Sequence, residues 1–470
     1  MKKNIFREYD IRGEVGIDFT VGDAYFIARG ILSYLKSTPS GLRRIILARD
    51  GRAHSEAIHS QVVRAFTEAS IDVVDIGIAP TPALYFALQT TSTPSGIIIT
   101  ASHNPPQDNG FKIVHNKKSV CGKEIAKISK IVENKDFFPI NGHSPGTLNK
   151  RDGITPYVDW LVDHFTHLKN INPKIVFDCA NAVPSVVLMP LLEKLGWTNS
   201  KVLFADLDGS FPNHAADPTV PINMTDVRHF LEKHKNFELG MGFDGDGDRM
   251  SPMTQDGFLV PGDQLLAIYS KEILKKHRGA KVIFDVKASQ AALKFVESCG
   301  GVGTLVATGH TNIKAAMRSM RSPLGGELSC HFNFADRYFG FDDGIYAALR
   351  LVELLDMRQT SLEALIAELP TSVSSSEIRL HCKEEDKGRV IKAARDFFGS
   401  RRDVEVISVD GVRAHTPLGW GLLRASNTQS LISMRFESST TEGLKEIQSE
   451  FSEVLSPFFE KAELEKHFKN

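Results

Sequence analysis

The chain has no Cys-x-x-Cys pair. Its cysteines, Cys121, Cys179, Cys299, Cys330 and Cys382, are odd in number and widely spaced. That excludes a disulfide framework and a thiolate zinc site. Reduced, mostly buried thiols are expected. Net charge is nearly absent, −1 with histidine neutral. No broad field therefore draws in nucleic acid or an acidic membrane, and any charged ligand must be met by local charge. No run of about 18 apolar residues is present to span a membrane. The opening Met1-Lys2-Lys3-Asn4-Ile5-Phe6-Arg7 lacks the apolar stretch of a signal peptide. A cytoplasmic protein without nucleic-acid or membrane partners is expected. No Walker-type phosphate loop appears.

What is present is ordinary globular material, 42% apolar and 24% charged, over 470 residues. At roughly 100–200 residues per domain, that length implies three or four domains. Three segments begin alike, with a basic residue, an apolar β-type run and an acid: Arg44–Asp50, Lys174–Asp178 and Lys281–Asp285. Helical patterns follow, at Glu56–Ala69, Thr225–His234 and Gln290–Ser298. Strands alternating with helices predict parallel sheets and right-handed crossovers. Pro/Gly-rich joints at 139–153 and 252–262, and the Ser-rich stretch 372–376 after Pro370, divide the chain. The last hundred residues read as successive strands with two helices, an α+β domain. The expected domains are 1–148, 149–252, 253–370 and 371–470: three similar α/β domains with mixed, mostly parallel sheets, then the α+β domain.

Each domain offers one polar loop. The first follows the apolar run Ile97–Ile99 and reads Thr100-Ala101-Ser102-His103-Asn104-Pro105. A loop at a strand mouth is where open α/β sheets bind ligands. Ser102, His103 and Lys112 suit nucleophilic or acid–base chemistry; taken alone, the same residues make a turn. The second loop alternates Asp244, Asp246 and Asp248 with glycines. Alternate residues of an extended chain point one way, and crowded carboxylates need a cation or a proton. Hard oxygen ligands fit Mg²⁺. A calcium EF-hand loop fails, because its glycine and glutamate positions hold Arg249 and Gln255. The third loop carries Glu327 and Ser329, which suit sugar hydroxyls and also an ordinary turn. The fourth, Arg424-Ala425-Ser426-Asn427-Thr428, suits a phosphate oxyanion and equally a hairpin turn. His310 and Lys287, taken singly, read as loop surface.

Two motif matches are set aside. Gly240-x-Gly242-x-x-Gly245 has no helix pattern after it. Gly142-His143-Ser144-Pro145-Gly146 sits in a linker, without the strand and helix of a hydrolase elbow. A serine, a three-acid cradle, hydroxyl-binding groups and a phosphate clamp together point to phosphoryl transfer.

With these loops quoted, the chain resembles the α-D-phosphohexomutase superfamily, closest to the bacterial phosphomannomutase/phosphoglucomutase group. Phe6-Arg7-Glu8-Tyr9-Asp10-Ile11-Arg12-Gly13 and Phe341-Asp342-Asp343-Gly344-Ile345-Tyr346 add to the match. The resemblance implies four domains around a central cleft and a phosphate carried on Ser102. It implies Mg²⁺ held by that group with Asp244, Asp246 and Asp248. It also implies a hexose 1,6-bisphosphate intermediate and a monomer or dimer acting on mannose or glucose phosphates. Lys112, His331 and Arg12 become candidates for proton transfer, Arg12 least, since a guanidinium stays protonated. His103 would orient Ser102. Glu327 and Ser329 would take the sugar hydroxyls, and Arg424, Ser426, Asn427 and Thr428 the distal phosphate. Tyr9, Arg249, Lys287 and His310 would line the cleft. Two departures stand out: Cys330 replaces the usual glycine, and Thr428-Gln429-Ser430 lacks a proline. A phosphoglucosamine mutase is the second enzyme reading, although Leu328 and the Ser426-Asn427-Thr428 clamp lean away from it. A non-catalytic sugar-phosphate sensor is the third.

Overall fold

The computed structural model describes residues 1–140, 144–426 and 430–468. Gly142 and His143 of the set-aside elbow motif lie outside them. The chain divides into two units. One is Met1–Pro261 with Ser329–Glu363, the other Gly262–Leu328 with Ala364–Asn470.

In the first unit, one sheet orders its strands Ile11–Glu14, Asp108–His115, Gly96–Ile99, Arg44–Arg49, Asp72–Ile78 and Leu148–Lys150. The last three pairings are parallel. The first two are antiparallel, because Gly96–Ile99 turns straight back through the 100–107 loop into Asp108–His115. The odd-numbered Ile45, Leu47, Ile97, Ile99, Phe111 and Ile113 form one core with Ile27, Ile31, Val62, Phe66 and Ile128 of three helices. Alternation puts Ile98 and Lys112 on the opposite face. There Gly96 lets the helix Thr81–Thr90 approach, since a Cβ would lie 3.0 Å from Leu84. A second sheet runs Met250–Thr254, Leu239–Phe243, Ile175–Asp178, Lys201–Leu203.

The repeated strands hold equivalent places. Arg44–Arg49, Ile175–Asp178 and Lys281–Asp285 are each flanked by two parallel neighbours. In each case one neighbour ends in the polar loop: Gly96–Ile99 before Ser102, Leu239–Phe243 before Asp244, Leu324–Gly326 before Glu327. The strand-end acids have a structural use. Asp50 accepts from the Arg52 amide at 3.0 Å, Asp178 from that of Ala180 at 2.8 Å and Asp285 from that of Leu328 at 3.1 Å. Each ties down the start or flank of a loop.

In the second unit, the C-terminal sheet is antiparallel throughout. Its order is Val373–Ser374, Leu431–Ser438, Gly419–Ala425, Val412–Thr416, Glu405–Ile407, with Ile378–His381 also on Leu431–Ser438. Ile378, Leu380, Val412, Leu423 and Met434 meet Val390, Phe398, Ile447 and Phe451 of two helices on one face. The other face carries Arg413, Trp420, Leu422 and Arg435; Trp420 and Leu422 pack on Val286. Among the described residues, no helix is long and apolar enough to cross a membrane.

Candidate active site

In the first unit the loop residues meet. Ser102 is buried and has φ +51°, a left-handed conformation that costs a non-glycine residue about 1–2 kcal/mol. Its hydroxyl donates to Asp244 Oδ2 at 2.8 Å and lies 3.2 Å from His103 Nδ1. Its carbonyl packs on Gly245, where a Cβ would come within 2.2 Å. Gly247, at φ +76°, completes the turn of the acid loop.

Asp244, Asp246 and Asp248 are 0% exposed, and they can each offer a ligand oxygen within 4.8 Å of the others. Lys112 answers from its strand, with Nζ 2.5 Å from Asp246 Oδ2 and 2.5 Å from Asp248 Oδ2. Thr81 also donates to Asp246 Oδ2, at 2.5 Å. These contacts set the protonation states. Burial pulls the Lys112 ammonium down, but Asp246 and Asp248 outweigh it and hold it well above its ordinary range. Burial raises Asp246, yet the Lys112 charge and its hydrogen bond win and pull it down. Asp244 goes the other way, pushed well up by burial and then by Asp248 and Asp246. One ammonium thus leaves three carboxylates undercompensated. Asp246 Oδ1 and Asp248 Oδ1 are buried without a hydrogen-bond partner. That oxygen set and charge deficit fit a hard divalent cation.

Around this centre stand the other candidates. His103 is held well below its ordinary range by burial and then by the charges of Arg249, Arg12, His331 and Lys112, so it is neutral. Arg12 donates to Asn104 Oδ1 at 2.8 Å and to Asp10 at 2.5 Å. Tyr9, half-buried, directly precedes that aspartate. Arg249 Nε donates to His331 Nε2 at 2.9 Å, while His331 Nδ1 lies 3.1 Å from Asp342 and 3.5 Å from Asp248. Cys330, just before, is buried at φ +63°. Ser329 is half-buried beside it.

The second unit gathers a different set. Glu327 accepts from the Gly309 amide at 2.7 Å. His310 is not on a loop, as expected from its glycine neighbour, but opens the helix His310–Met320; its Nδ1 lies 3.1 Å from Lys314 Nζ. Lys287 lies 3.8 Å from Asp285 and 3.7 Å from Glu377. Burial lifts Asp285 to about 6, against the pull of Lys287. Glu377 drops to about 2, because Lys287 and Arg379 outweigh burial. Arg413 donates to the carbonyls of Val286 and Ala288 at 2.7 Å each, and Arg435 to that of Lys287 at 2.5 Å. Two sheet arginines thereby fix the backbone that presents Lys287. Arg424 donates to Asp410 at 3.0 Å, and Asp410 also accepts from the Thr308 amide at 3.1 Å. The Ser426 carbonyl accepts from Lys387 at 2.8 Å. Asn427 and Thr428 lie outside the described residues.

Sequence reasoning missed Thr81, Arg52, Asp410, Arg413 and Arg435. Asp342 was quoted only as part of a motif. Arg52 is the one with a visible signal, since it follows a strand-end acid of the repeat. Nothing in its spacing says where it reaches.

Four family models cover most of the chain. They are described as phosphoglucomutase/phosphomannomutase alpha/beta/alpha domain I at 3–138, domain II at 155–257, domain III at 261–373 and the C-terminal domain at 377–454. A phosphoglucomutase of Neisseria gonorrhoeae is 37% identical over 96% of this chain and 97% of its own. A phosphomannomutase/phosphoglucomutase of Pseudomonas aeruginosa is 36% identical over 96% and 95%. A solved phosphoglucomutase/phosphomannomutase family protein from Burkholderia thailandensis superposes with TM-score 0.88 at 34% identity, covering 97% of this chain and 98% of that one.

Proposed function

The chain belongs to the phosphoglucomutase/phosphomannomutase family, and from that premise we propose that it interconverts the 1-phosphate and 6-phosphate of a hexose through a phosphate carried on Ser102. The observation that carries the reading is the buried Ser102 hydroxyl at 2.8 Å from the first acid of the cradle. A hydrolase would hand its phosphate to water. A mutase must return to the charged state in which it began.

The P–O bond to Ser102 Oγ breaks while a sugar hydroxyl oxygen bonds to phosphorus. The hydroxyl's proton leaves to a base, the departing Ser102 oxygen takes up a proton, and the sugar becomes a bisphosphate. In the second half the P–O bond between the other phosphate and its sugar oxygen breaks while Ser102 Oγ bonds to that phosphorus; the Ser102 hydroxyl proton leaves to a base, the freed sugar oxygen takes up a proton, and the product monophosphate is released. Asp244, Asp246, Asp248 and the Ser102 side chain would hold Mg²⁺, which when bound supplies positive charge at the transferring group. The protein's own residues do the rest. Lys112, kept protonated by two carboxylates, offers charge and donors to the roughly −1.5 to −2 of a phosphoserine. Neutral His103 hydrogen-bonds Ser102 Oγ and orients it. His331, steadied by Arg249 and Asp342, would share proton transfer with Lys112. Arg12 serves as a fixed donor.

Arg424, with Ser426, Asn427 and Thr428, would grip the non-reacting phosphate; Glu327 and Ser329 would take ring hydroxyls. Lys287, His310, Arg249 and Tyr9 would add charge and contact area. The protein would act in the cytoplasm, as a monomer or a dimer.

Intact-mass and peptide mapping should find one phosphate on Ser102. A coupled assay should show turnover of glucose and mannose 1-phosphates, stimulated by the matching 1,6-bisphosphate. Higher kcat/KM on glucosamine phosphate would move the assignment to the phosphoglucosamine reading. Saturable binding without turnover by the phosphorylated protein would move it to a sensor.

A further inference from the structure

We propose that Arg52 is the positioning residue that holds Ser102 where it takes and gives its phosphoryl group, an inference that rests on Ser102 being the carrier. Arg52 is 3% exposed. Its guanidinium grips the outgoing loop from beneath by backbone alone. Nη2 donates to the carbonyls of Ser102 and Asn104 at 2.7 Å each. Nη1 donates to those of Pro105 at 2.5 Å and Asp108 at 3.0 Å. Its remaining donor, Nε, goes to Asp50 at 3.1 Å. Five N–H groups in one rigid plane are what arginine alone offers.

The anchor is itself anchored. Asp50 sits at the end of Arg44–Arg49 and donates its amide to the Ile99 carbonyl at 2.9 Å. It also accepts from Ser55 Oγ at 2.5 Å, and Ser55 accepts from Asn109 Nδ2 at 2.9 Å. Both ends of the 100–107 loop are therefore referred to one buried ion pair. The Ser102 carbonyl is pinned between this guanidinium and Gly245, where no Cβ fits. Pinning matters because Ser102 adopts φ +51°, a conformation that persists only where the surroundings over-determine it. It matters again because the charge on Ser102 changes within every cycle, while the loop must return to one position.

Arg52 hydrogen-bonds the loop only through carbonyls, so losing it displaces Ser102 without removing a reacting group. A displacement of 1 Å is enough to cost about 100-fold in rate. The test uses full-length Arg52→Lys and Arg52→Gln. The readouts are kcat and KM for glucose 1-phosphate, phosphate on Ser102 by intact mass, and thermal melting. The expected result is a kcat loss of about 100-fold with KM within about threefold. Arg52→Gln should melt lower, since Asp50 loses its buried partner; Arg52→Lys keeps a charge for Asp50, should melt nearer wild type and should lose less kcat than Arg52→Gln. Unchanged kcat in both variants would overturn the proposal. So would a kcat loss that only tracks the unfolded fraction, or failure of Arg52→Lys to fold, since that variant still offers Asp50 a charge. A wild-type protein with no phosphate on Ser102 would instead sink the mutase reading itself.

Discussion

The hydroxyl of Ser102 donates to Asp244 at 2.8 Å across 142 residues of chain. The loop that would carry phosphate and the loop that would carry metal are thus built against each other. Gly245 makes the contact possible, because any Cβ there would strike the Ser102 carbonyl. The glycines of the acid loop do more than let it curve.

Removing that hydroxyl tests the contact directly. Ser102→Ala is expected to lose at least about 10³-fold in kcat and to carry no phosphate by mass. Retention of full activity in the coupled assay would end the phosphoserine mechanism. Ser102→Gly should melt no lower than Ser102→Ala, since glycine accepts φ +51° without strain.

Lys112 is the counter-ion of Asp246 and Asp248, all three buried. Lys112→Met leaves two carboxylates unpaired, a change that costs about 3–5 kcal/mol in such pairs. Urea melts in EDTA should show the loss. Mg²⁺ should then stabilise the variant more than it stabilises wild type, because ligand binding to the folded state adds stability by linkage. An equal Mg²⁺ effect in both proteins would place the cation elsewhere.

Cys330 is buried in a left-handed conformation, φ +63°. Cys330→Gly should stay within about 1 kcal/mol of wild type, the lost thiol packing offset by relief of backbone strain. Cys330→Val should cost about 2 kcal/mol or more, since a β-branched side chain is the least tolerant of positive φ. Chemical melts compare the three. His331 follows directly, so the valine variant should also lose activity.

His415 accepts from Arg413 Nε at 3.0 Å and is lowered to about 4 by burial and then by Arg413. Its folded value lies below its unfolded one, so the unfolded chain binds the proton more tightly. Stability from the neutral ring is full above the ordinary histidine range and is lost as pH falls from about 6.5 toward 4. Discounted for the ring's partial exposure, the loss is about 1–2 kcal/mol. Melts at pH 7 and pH 5 should show it, and His415→Gln should flatten that part of the profile. Because Arg413 also fixes the Lys287 backbone, activity should fall over the same range.

Much of this was legible in the sequence, for a physical reason. Strands of the repeat, such as Lys281–Asp285, and helices such as Gln290–Ser298 announce themselves by apolar period. That period is a local property, and the structure returns both with the expected bounds. The antiparallel C-terminal strands were legible in the same way. The chemistry of Asp244, Asp246 and Asp248 was legible because three like charges in five residues have few other uses. The helical start at His310 was not legible, since a glycine before it reads as loop.

What the sequence determined by itself is which groups exist and which local elements carry them: a serine on a strand mouth with a lysine ten residues on, and three acids spaced by glycines. Tertiary structure alone decided who answers whom. Lys112 pairs with Asp246 and Asp248 from a strand that turns back antiparallel. Arg52 closes on a loop fifty residues away, and Asp410 joins Arg424 to Thr308. These choices rest on burial, which makes an unpaired charge or carbonyl costly. Cost of that kind is fixed by what packs around a group in space, and no spacing along the chain encodes it.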